Sequence, residues 1–128
     1  MKAFSSTITF LQTNDLKKTS DFYEQNLQCK LILDQGQCRI FETSKNAYIG
    51  FCSHDFLEKN QNTVCLTFVC NSKEEVDIWY EKLKEKKVPI KACPAENQKF
   101  KIYNFFATDP NGISIEVQYF LHKFPPDE

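Results

Sequence analysis

The order of predicted secondary structure elements occurs twice along the chain, and this repetition constrains the fold more than any other feature of the sequence. The stretch ITFLQT, residues 8–13, mixes β-branched and aromatic residues and predicts a strand. A helix is predicted next, with Asn14 or Asp15 as its N-cap and with Phe22 and Tyr23 in its apolar stripe. Three strands are then predicted in CKLILD, QCRIFET and AYIGFCS, separated by turn-like glycine and polar residues.

The second half of the chain repeats this order. The stretch TVCLTFVC, residues 63–70, predicts a strand. Ser72 and Glu75 have the spacing of a capping box, and Val76 and Trp79 begin the apolar stripe of the helix that follows. Three more strands are predicted in IKACPA, KIYNFFAT and ISIEVQYF, with DPNG as the tight turn before the last one.

Two copies of a βαβββ unit predict an α+β fold in a single domain. Module 1 spans about residues 4–54 and module 2 about residues 62–121, with the polar stretch HDFLEKNQN between them. Such a duplication predicts two modules packed about a pseudo-twofold axis, each with its helix on one face of a curled mixed sheet. The other faces of the two sheets would then enclose a cavity.

Composition and charge narrow the possible partners and the predicted location. The 128 residues suit one domain, and 16 basic residues nearly balance 17 acidic ones. Without a basic block there is no electrostatic basis for binding nucleic acid or an anionic membrane. The sequence shows neither a signal peptide nor the run of about 20 apolar residues that a membrane helix needs, so we predict a cytoplasmic location. The six cysteines form no CxxC pair and are predicted to be reduced thiols, mostly small core residues.

The alternation of side chains along each strand predicts which residues face the cavity. Apolar residues such as Leu11, Leu66 and Ile115 are assigned to the helix side, so the residues that alternate with them are predicted to face the cavity. Aromatic walls are predicted from Phe100, Tyr103 or Phe105. The predicted ligand contacts are Phe10, Gln12, Tyr48, Cys52, Cys65, Thr67, Tyr103, Ser114, Glu116 and Gln118. An apolar bowl with a few polar groups is typical of a small-molecule site.

Three stretches of the sequence resemble the glyoxalase/bleomycin-resistance/extradiol-dioxygenase superfamily, also called the vicinal oxygen chelate proteins. They are NDLKKTSDFYEQNL, FVCNSKEEVDIWYEKLKEKKV and TDPNGISIEV, and together they span nearly the whole chain. The resemblance implies a paired-module fold with a cavity, and a homodimer as in many members. Metal-dependent members hold a divalent ion there with one ligand from each of four strands. Members isomerise, epimerise or oxidatively cleave small substrates, while others only bind a drug.

The resemblance implies four metal-ligand positions. The residues found at these positions do not make the standard metal site. These positions fall on Ile8, on Gly50 or its neighbours, on Cys65 and on Glu116. A catalytic divalent site needs about three protein ligands, and only Glu116 and Cys65 offer ligand atoms. No cofactor is therefore predicted, although a soft ion held by Cys52, Cys65 and Glu116 is a second hypothesis.

Three functions stay open at this point. The leading hypothesis is a protein that binds a small organic molecule in the cavity without the standard metal site. The alternative is a glyoxalase-type lyase or isomerase, or a dioxygenase-like enzyme, that uses Glu116 with a non-standard metal set or as a general base. The third is a scaffold whose cavity is filled by side chains. The sequence does not decide whether the protein is an enzyme, and Glu116 can equally be a polar group held by its neighbours.

Overall fold

A computed structural model describes residues 5–53 and 64–127, and these residues form two compact units. Unit 1 holds the described residues up to Ser53 together with the turn Pro110–Gly112, and unit 2 holds Val64–Asp109 and the residues from Ile113 onwards. The predicted module boundary in residues 54–62 lies outside the described residues. Within those residues no helix is long and apolar enough to cross a membrane.

Unit 1 is a four-stranded mixed sheet with one helical segment. The strands are β1 (Thr7–Thr13), β2 (Lys30–Asp34), β3 (Cys38–Ser44) and β4 (Ala47–Ser53). Helix α1 (Leu16–Asp21) continues as a π-helical turn (Phe22–Asn26). The strand order is β1-β4-β3-β2, with β1 parallel to β4 and the other neighbours antiparallel.

Unit 2 repeats the same topology. Its elements are β5 (Cys65–Val69), α2 (Lys73–Glu85), β6 (Ala95–Asn97), β7 (Ile102–Thr108) and β8 (Ser114–Phe120). The strand order is β5-β8-β7-β6, with β5 parallel to β8 and the other neighbours antiparallel. The predicted βαβββ order and α+β class are therefore confirmed in both units.

The predicted strand IKACPA is wrong in its position. Only Ile90 forms a bridge, to Ala107, and the short strand β6 begins at Ala95, where the predicted segment ends. Pro94 has no backbone N–H for a ladder, which explains why regular pairing begins only after it.

Each sheet packs one face on its helical segment, where the apolar residues of the alternating pattern are buried. In unit 1 the ring of Tyr23 lies 4.9 Å from that of Phe51 and 6.1 Å from that of Phe41, and all three side chains are completely buried. In unit 2 Val76 and Ile115 have no exposed surface. Complete burial of one such side chain contributes about 1.5–3 kcal/mol, so these faces hold each unit together.

Both helices begin at the capping residues that the sequence indicates. The side chain of Asp15 accepts a hydrogen bond from the backbone N–H of Lys18 at 3.0 Å. Ser72 accepts from the N–H of Glu75 at 3.1 Å, and the carboxylate of Glu75 accepts from the N–H of Asn71 at 2.8 Å. The second pair is a capping box in which the return bond reaches one residue further back than usual.

The DPNG turn forms where the sequence predicts it. Gly112 has a φ of +83°, in the left-handed region that glycine adopts without strain, whereas Asn111 does not have a positive φ. The carboxylate of Asp109 accepts from the N–H of Ile113 at 2.8 Å and closes the turn. Asn111 is needed for its side chain instead, which is buried in unit 1.

Candidate functional site

Each sheet has a second face that does not pack on its helix, which we call the open face. The open face of unit 1 is formed by the edge strand β1 and the central strands β4 and β3, and the open face of unit 2 by β5, β8 and β7. Strand register and alternation place nine of the ten predicted ligand contacts on the open faces, and only Tyr103 lies elsewhere. The nine are Phe10, Gln12, Tyr48 and Cys52 in unit 1, and Cys65, Thr67, Ser114, Glu116 and Gln118 in unit 2.

Glu116 is held on the open face of unit 2 by one hydrogen bond to each of its carboxylate oxygens. Thr67 Oγ1 donates to Oε1 at 2.8 Å, and Asn104 Nδ2 donates to Oε2 at 2.7 Å. Thr67 stands directly opposite Glu116 in the parallel β5–β8 pair, whereas Asn104 stands opposite Gln118, two residues further along β8. A carboxylate has about four lone-pair sites, so this arrangement fixes the group and leaves acceptor capacity on both oxygens.

The two units use the same register, which identifies Gly50 as the counterpart of Glu116. In unit 2, Cys65 pairs with Ser114, and Thr67, two residues later, pairs with Glu116. In unit 1, Ile8 pairs with Tyr48, and Phe10, two residues later, pairs with Gly50. Phe10 therefore stands where unit 2 has Thr67, opposite a glycine instead of a carboxylate.

The ring of Phe10 fills the space above Gly50. A Cβ atom on Gly50 would lie 2.5 Å from both Cδ1 and Cε1 of Phe10, closer than any real contact. Gly50 is buried beneath the ring, yet 49% of the Phe10 surface is exposed. In unit 1 the position equivalent to the carboxylate is thus occupied by an aromatic ring.

Tyr103 and Phe105 lie on the helix-covered face of β7, so the predicted aromatic wall is wrongly placed. The hydroxyl of Tyr103 donates to Oδ1 of Asp77 on α2 at 2.6 Å, and this hydrogen bond raises the pKa of Tyr103 to about 12. Phe105 is buried against Tyr80, with ring centroids 5.5 Å apart. A ligand contact of Tyr103 stays a prediction, and its side chain lies on the face of the sheet opposite to Glu116.

Sequence reasoning missed two residues that do lie beside Glu116. Asn104 binds its carboxylate, and Phe106 stands directly opposite it in the β7–β8 pair with a partly exposed ring. The signal was present in the alternation of KIYNFFAT, because Asn104 and Phe106 share one face and Tyr103 and Phe105 the other. Choosing the correct face required the register with β8.

The prediction of six reduced cysteines is wrong for two of them, because Cys38 and Cys52 form a disulfide. They stand directly opposite each other on the antiparallel strands β3 and β4, where Cβ atoms come close enough to be bridged. Cys29 and Cys70 are free and buried, and burial raises the pKa of each thiol to about 11. The hypothesis of a thiolate pair from Cys52 and Cys65 also fails, because the two residues belong to different sheets and Cys52 has no free thiol.

The described residues of unit 2 line cavities in at least two places. One of about 220 Å³ is lined by Lys91, Phe106, Ala107, Thr108 and Ser114; it includes Phe106, which stands opposite Glu116, but not Glu116 itself. The other, of about 310 Å³, lies beyond the ends of β5 and β8 and is lined by residues that include Val69, Asn71, Phe120, His122 and Phe124. There the ring of Phe124 stacks on that of Phe120 at 4.3 Å, so the C-terminal segment packs back on its own unit.

The sequence profile of the Glyoxalase/Bleomycin resistance protein/Dioxygenase superfamily matches residues 6–117, most of the chain. The chain belongs to this superfamily. Both four-stranded modules with their helices agree with the glyoxalase fold, as the three sequence stretches predicted. A search of curated proteins found no match.

Solved structures of superfamily proteins share this fold. A glyoxalase/bleomycin resistance protein/dioxygenase from Nocardioides has a TM-score of 0.80 and 19% identity, with 100% of this chain and 90% of that chain covered. A lactoylglutathione lyase from Agrobacterium tumefaciens has a TM-score of 0.72 and 21% identity over 92% of this chain and 96% of that chain. A glyoxalase/bleomycin resistance protein/dioxygenase from Alicyclobacillus acidocaldarius has a TM-score of 0.74 and 18% identity over 91% and 92%. At these identities the likeness concerns the fold alone.

The residues at the four glyoxalase-type ligand positions do not fit a divalent metal. Ile8 and Gly50 have no side-chain ligand atom, so the two positions that lie in unit 1 supply no ligand. In unit 2 both carboxylate oxygens of Glu116 accept hydrogen bonds, and the Cys65 sulfur lies 4.0 Å from Thr67 Oγ1. Among the residues described, no three His, Cys, Asp or Glu side chains cluster as a metal site. A hard divalent cation prefers several oxygen or nitrogen ligands, and one carboxylate does not supply them.

Proposed function

We propose that this superfamily member binds a small organic molecule on the open face of unit 2 without the standard metal site. One observation carries the proposal: Glu116 is fixed by Thr67 and Asn104 opposite Phe106, whose ring also lines a cavity, while its counterpart in unit 1 is Gly50 beneath Phe10. A carboxylate that is already oriented, with lone pairs to spare, suits a ligand that donates hydrogen bonds.

The cavity that Phe106 and Ser114 help to line gives the ligand its approximate character. Phe106 supplies an aromatic surface, and Ser114 and Thr108 supply hydroxyl groups at the other side. A volume of about 220 Å³ holds a single ring with a short substituent rather than a drug-sized molecule. We therefore propose an apolar or aromatic ring that carries an amine, amidine or hydroxyl donor directed at Glu116.

Polar groups elsewhere on the open faces stay predicted contacts. The side chains of Gln12 and Tyr48 in unit 1 and of Ser114 and Gln118 in unit 2 form no hydrogen bond within the described part of the chain. Gln12, Tyr48 and Ser114 are at least partly exposed and thus able to bind a ligand without first breaking an internal bond, whereas Gln118 is buried.

Binding of ring amines and amidines tests the proposal, with benzamidine as the first probe. We expect benzamidine to shift the backbone NMR signals of Thr67, Asn104 and Glu116 in wild-type protein. Glu116→Gln should weaken the affinity about tenfold or more, because a hydrogen bond to a charged group contributes about 1.5–3 kcal/mol. The control is Glu81→Gln, an exposed glutamate of α2, which should bind as the wild type does.

Two results would overturn the proposal. The first is that neither benzamidine nor any member of a panel of ring amines perturbs the open face of unit 2. The second is one divalent ion per chain in metal analysis of protein purified without chelators, because a bound ion would give Glu116 a different role. Activity that depends on Glu116 with such an ion bound would favour the enzyme alternative. The homodimer implied by the resemblance is a separate proposal, checked by light scattering.

A further inference from the structure

We propose that Cys38 and Cys52 form a reversible thiol–disulfide exchange site whose co-substrate is a low-molecular-weight thiol or its disulfide. The proposal rests on the position of the pair in the sheet, on its access to solvent and on the contrast with the other cysteines. It does not depend on the ligand proposed above.

The position of the pair allows reduction without unfolding. Cys38 and Cys52 lie opposite each other on neighbouring strands that are also joined by the backbone ladder running from Arg39–Phe51 to Ser44–Ala47. On its other side β4 is paired with β1 along its full length. Because these hydrogen bonds and the core beneath them do not involve the sulfur atoms, the strands of the sheet stay paired when the disulfide opens.

The pair is also accessible, whereas a purely structural disulfide is typically enclosed by a core. Both cysteines are half-buried and belong by alternation to the open face, on the side away from the buried ring of Phe51. Two of the free cysteines, Cys29 and Cys70, are buried, and their raised pKa keeps them protonated and unreactive near neutral pH. Cys29 and Cys70 therefore do not take part in the exchange, and the exposed free thiols of Cys65 and Cys93 belong to unit 2.

The exchange proceeds in two balanced steps. A thiolate RS⁻ attacks the sulfur of one cysteine, forms a mixed disulfide and releases the other cysteine as a thiolate. A second RS⁻ attacks the sulfur of R in that mixed disulfide, which gives RSSR and releases the first cysteine, and both cysteines then take up protons. Two RSH molecules are oxidised and the protein disulfide gains two electrons; the reverse reaction restores the disulfide.

Opening the disulfide changes the open face of unit 1 next to predicted ligand contacts. Two thiol sulfurs cannot remain at bonding distance, so the side chains of Cys38 and Cys52 must turn apart. Cys52 stands opposite Gln12 in the β1–β4 pair, and the next open-face pair is Phe10 with Gly50. The oxidation state of the pair is thus coupled to the surroundings of Gln12 and Phe10.

Equilibration with reduced and oxidised glutathione tests the proposal. The purified chain is incubated over a series of ratios, its thiols are trapped by alkylation, and modified cysteines are counted by mass spectrometry. We expect the dithiol-to-disulfide ratio of Cys38 and Cys52 to change about tenfold for each tenfold change in the ratio of squared reduced to oxidised glutathione. NMR spectra of the same samples should keep the native signals of Phe41 and Phe51, and shift those of Gln12 and Cys52.

Matched variants separate exchange from general thiol chemistry. Cys93→Ser removes an exposed free thiol of unit 2 and should leave the titration of the pair unchanged. The double variant C38S/C52S should keep the fold and lose the redox-dependent shift of Gln12. The proposal is wrong if the pair stays oxidised over the whole series, if it opens only together with loss of the native signals of Phe41 and Phe51, or if these cysteines are not bonded in the folded protein.

Discussion

The hydroxyl of Thr13, at the end of β1, donates to Oδ1 of Asn111 at 2.6 Å although the two residues are 98 positions apart in sequence. Asn111 Nδ2 in turn donates to Thr19 Oγ1 at 3.0 Å, and the two threonine hydroxyls are 2.9 Å apart. If Thr19 donates to Thr13, the three side chains form a closed ring of hydrogen bonds. Thr13 and Thr19 are completely buried and Asn111 nearly so, so the asparagine of the DPNG turn is a part of the core of unit 1.

Replacing Thr13 by valine should destabilise the protein by about 1–3 kcal/mol, because it leaves buried polar groups of Asn111 and Thr19 without one partner. Chemical denaturation followed by circular dichroism measures this free energy. Thr9→Val, at an exposed position of the same strand, is the control and should stay within about 0.5 kcal/mol of the wild type. Equal stability of the two variants would show that the ring of hydrogen bonds contributes nothing.

The sequence predicted the strands and helices well because alternation and helical periodicity are local. The open-face positions of Gln12, Thr67 and Glu116 followed from the apolar residues beside them. Local patterns did not predict which side chains form hydrogen bonds or a disulfide with each other, because such pairs depend on strand register. DPNG indicated a turn but not the contact of Asn111 with Thr13, and the even number of cysteines did not single out Cys38 with Cys52. The sequence allowed Glu116 to be a polar group held by its neighbours, but its two donors, Thr67 and Asn104, were known only once β5, β7 and β8 were aligned.

The phenol of Tyr103 should titrate far above the ordinary tyrosine value, because its hydrogen bond to Asp77 raises its pKa to about 12. The folded state therefore favours the neutral phenol. The stability that this bond contributes is fully present below the unfolded-state pKa of about 10 and is lost as the pH rises through the folded value. Phenolate absorbance over an alkaline titration measures the effect, with circular dichroism as a check on folding.

Asp77→Asn is the decisive variant for Tyr103, since it keeps the shape of the side chain and removes the charge. One tyrosine of the variant should titrate at a lower pH than in the wild type. Asp21→Asn removes an exposed carboxylate of unit 1 that pairs with Lys17, and it should leave the tyrosine titration unchanged. If wild type and Asp77→Asn gave the same curve, the bond seen between Tyr103 and Asp77 would not persist in solution.

The four free cysteines should react with iodoacetamide in two classes. Cys65 and Cys93 are exposed and should be alkylated first. Burial raises the pKa of Cys29 and Cys70 to about 11, so at pH 8 only about one in a thousand of these thiols is ionised, and steric protection slows them further. Time-resolved mass spectrometry should show Cys29 and Cys70 reacting at least about a hundredfold more slowly than Cys65. Similar rates for Cys29 and Cys65 in folded protein would contradict the buried position of Cys29.

Gly50→Ala should have opposite effects on stability in two backgrounds, because Phe10 occupies the space above Gly50. In the wild type the new Cβ would lie 2.5 Å from two ring atoms of Phe10, and the ring must move away. Overpacking of this kind costs about 1–3 kcal/mol, and we expect the lower end because the half-exposed ring can turn towards solvent. In Phe10→Ala the clash is gone, and alanine should be favoured over glycine by about 0.5–1 kcal/mol, as elsewhere in strand interiors.

A double-mutant cycle of Gly50→Ala with Phe10→Ala, followed by denaturation, gives the coupling energy of the pair, which should be about 1.5–2 kcal/mol, the difference between the effects expected in the two backgrounds. A parallel cycle of Gly50→Ala with Ile8→Ala is the control, since Ile8 is also exposed on β1 but stands opposite Tyr48. That cycle should show almost no coupling. A Phe10 cycle without coupling would mean that the ring does not rest on Gly50, and unit 1 would then have open space at the position where unit 2 has its carboxylate.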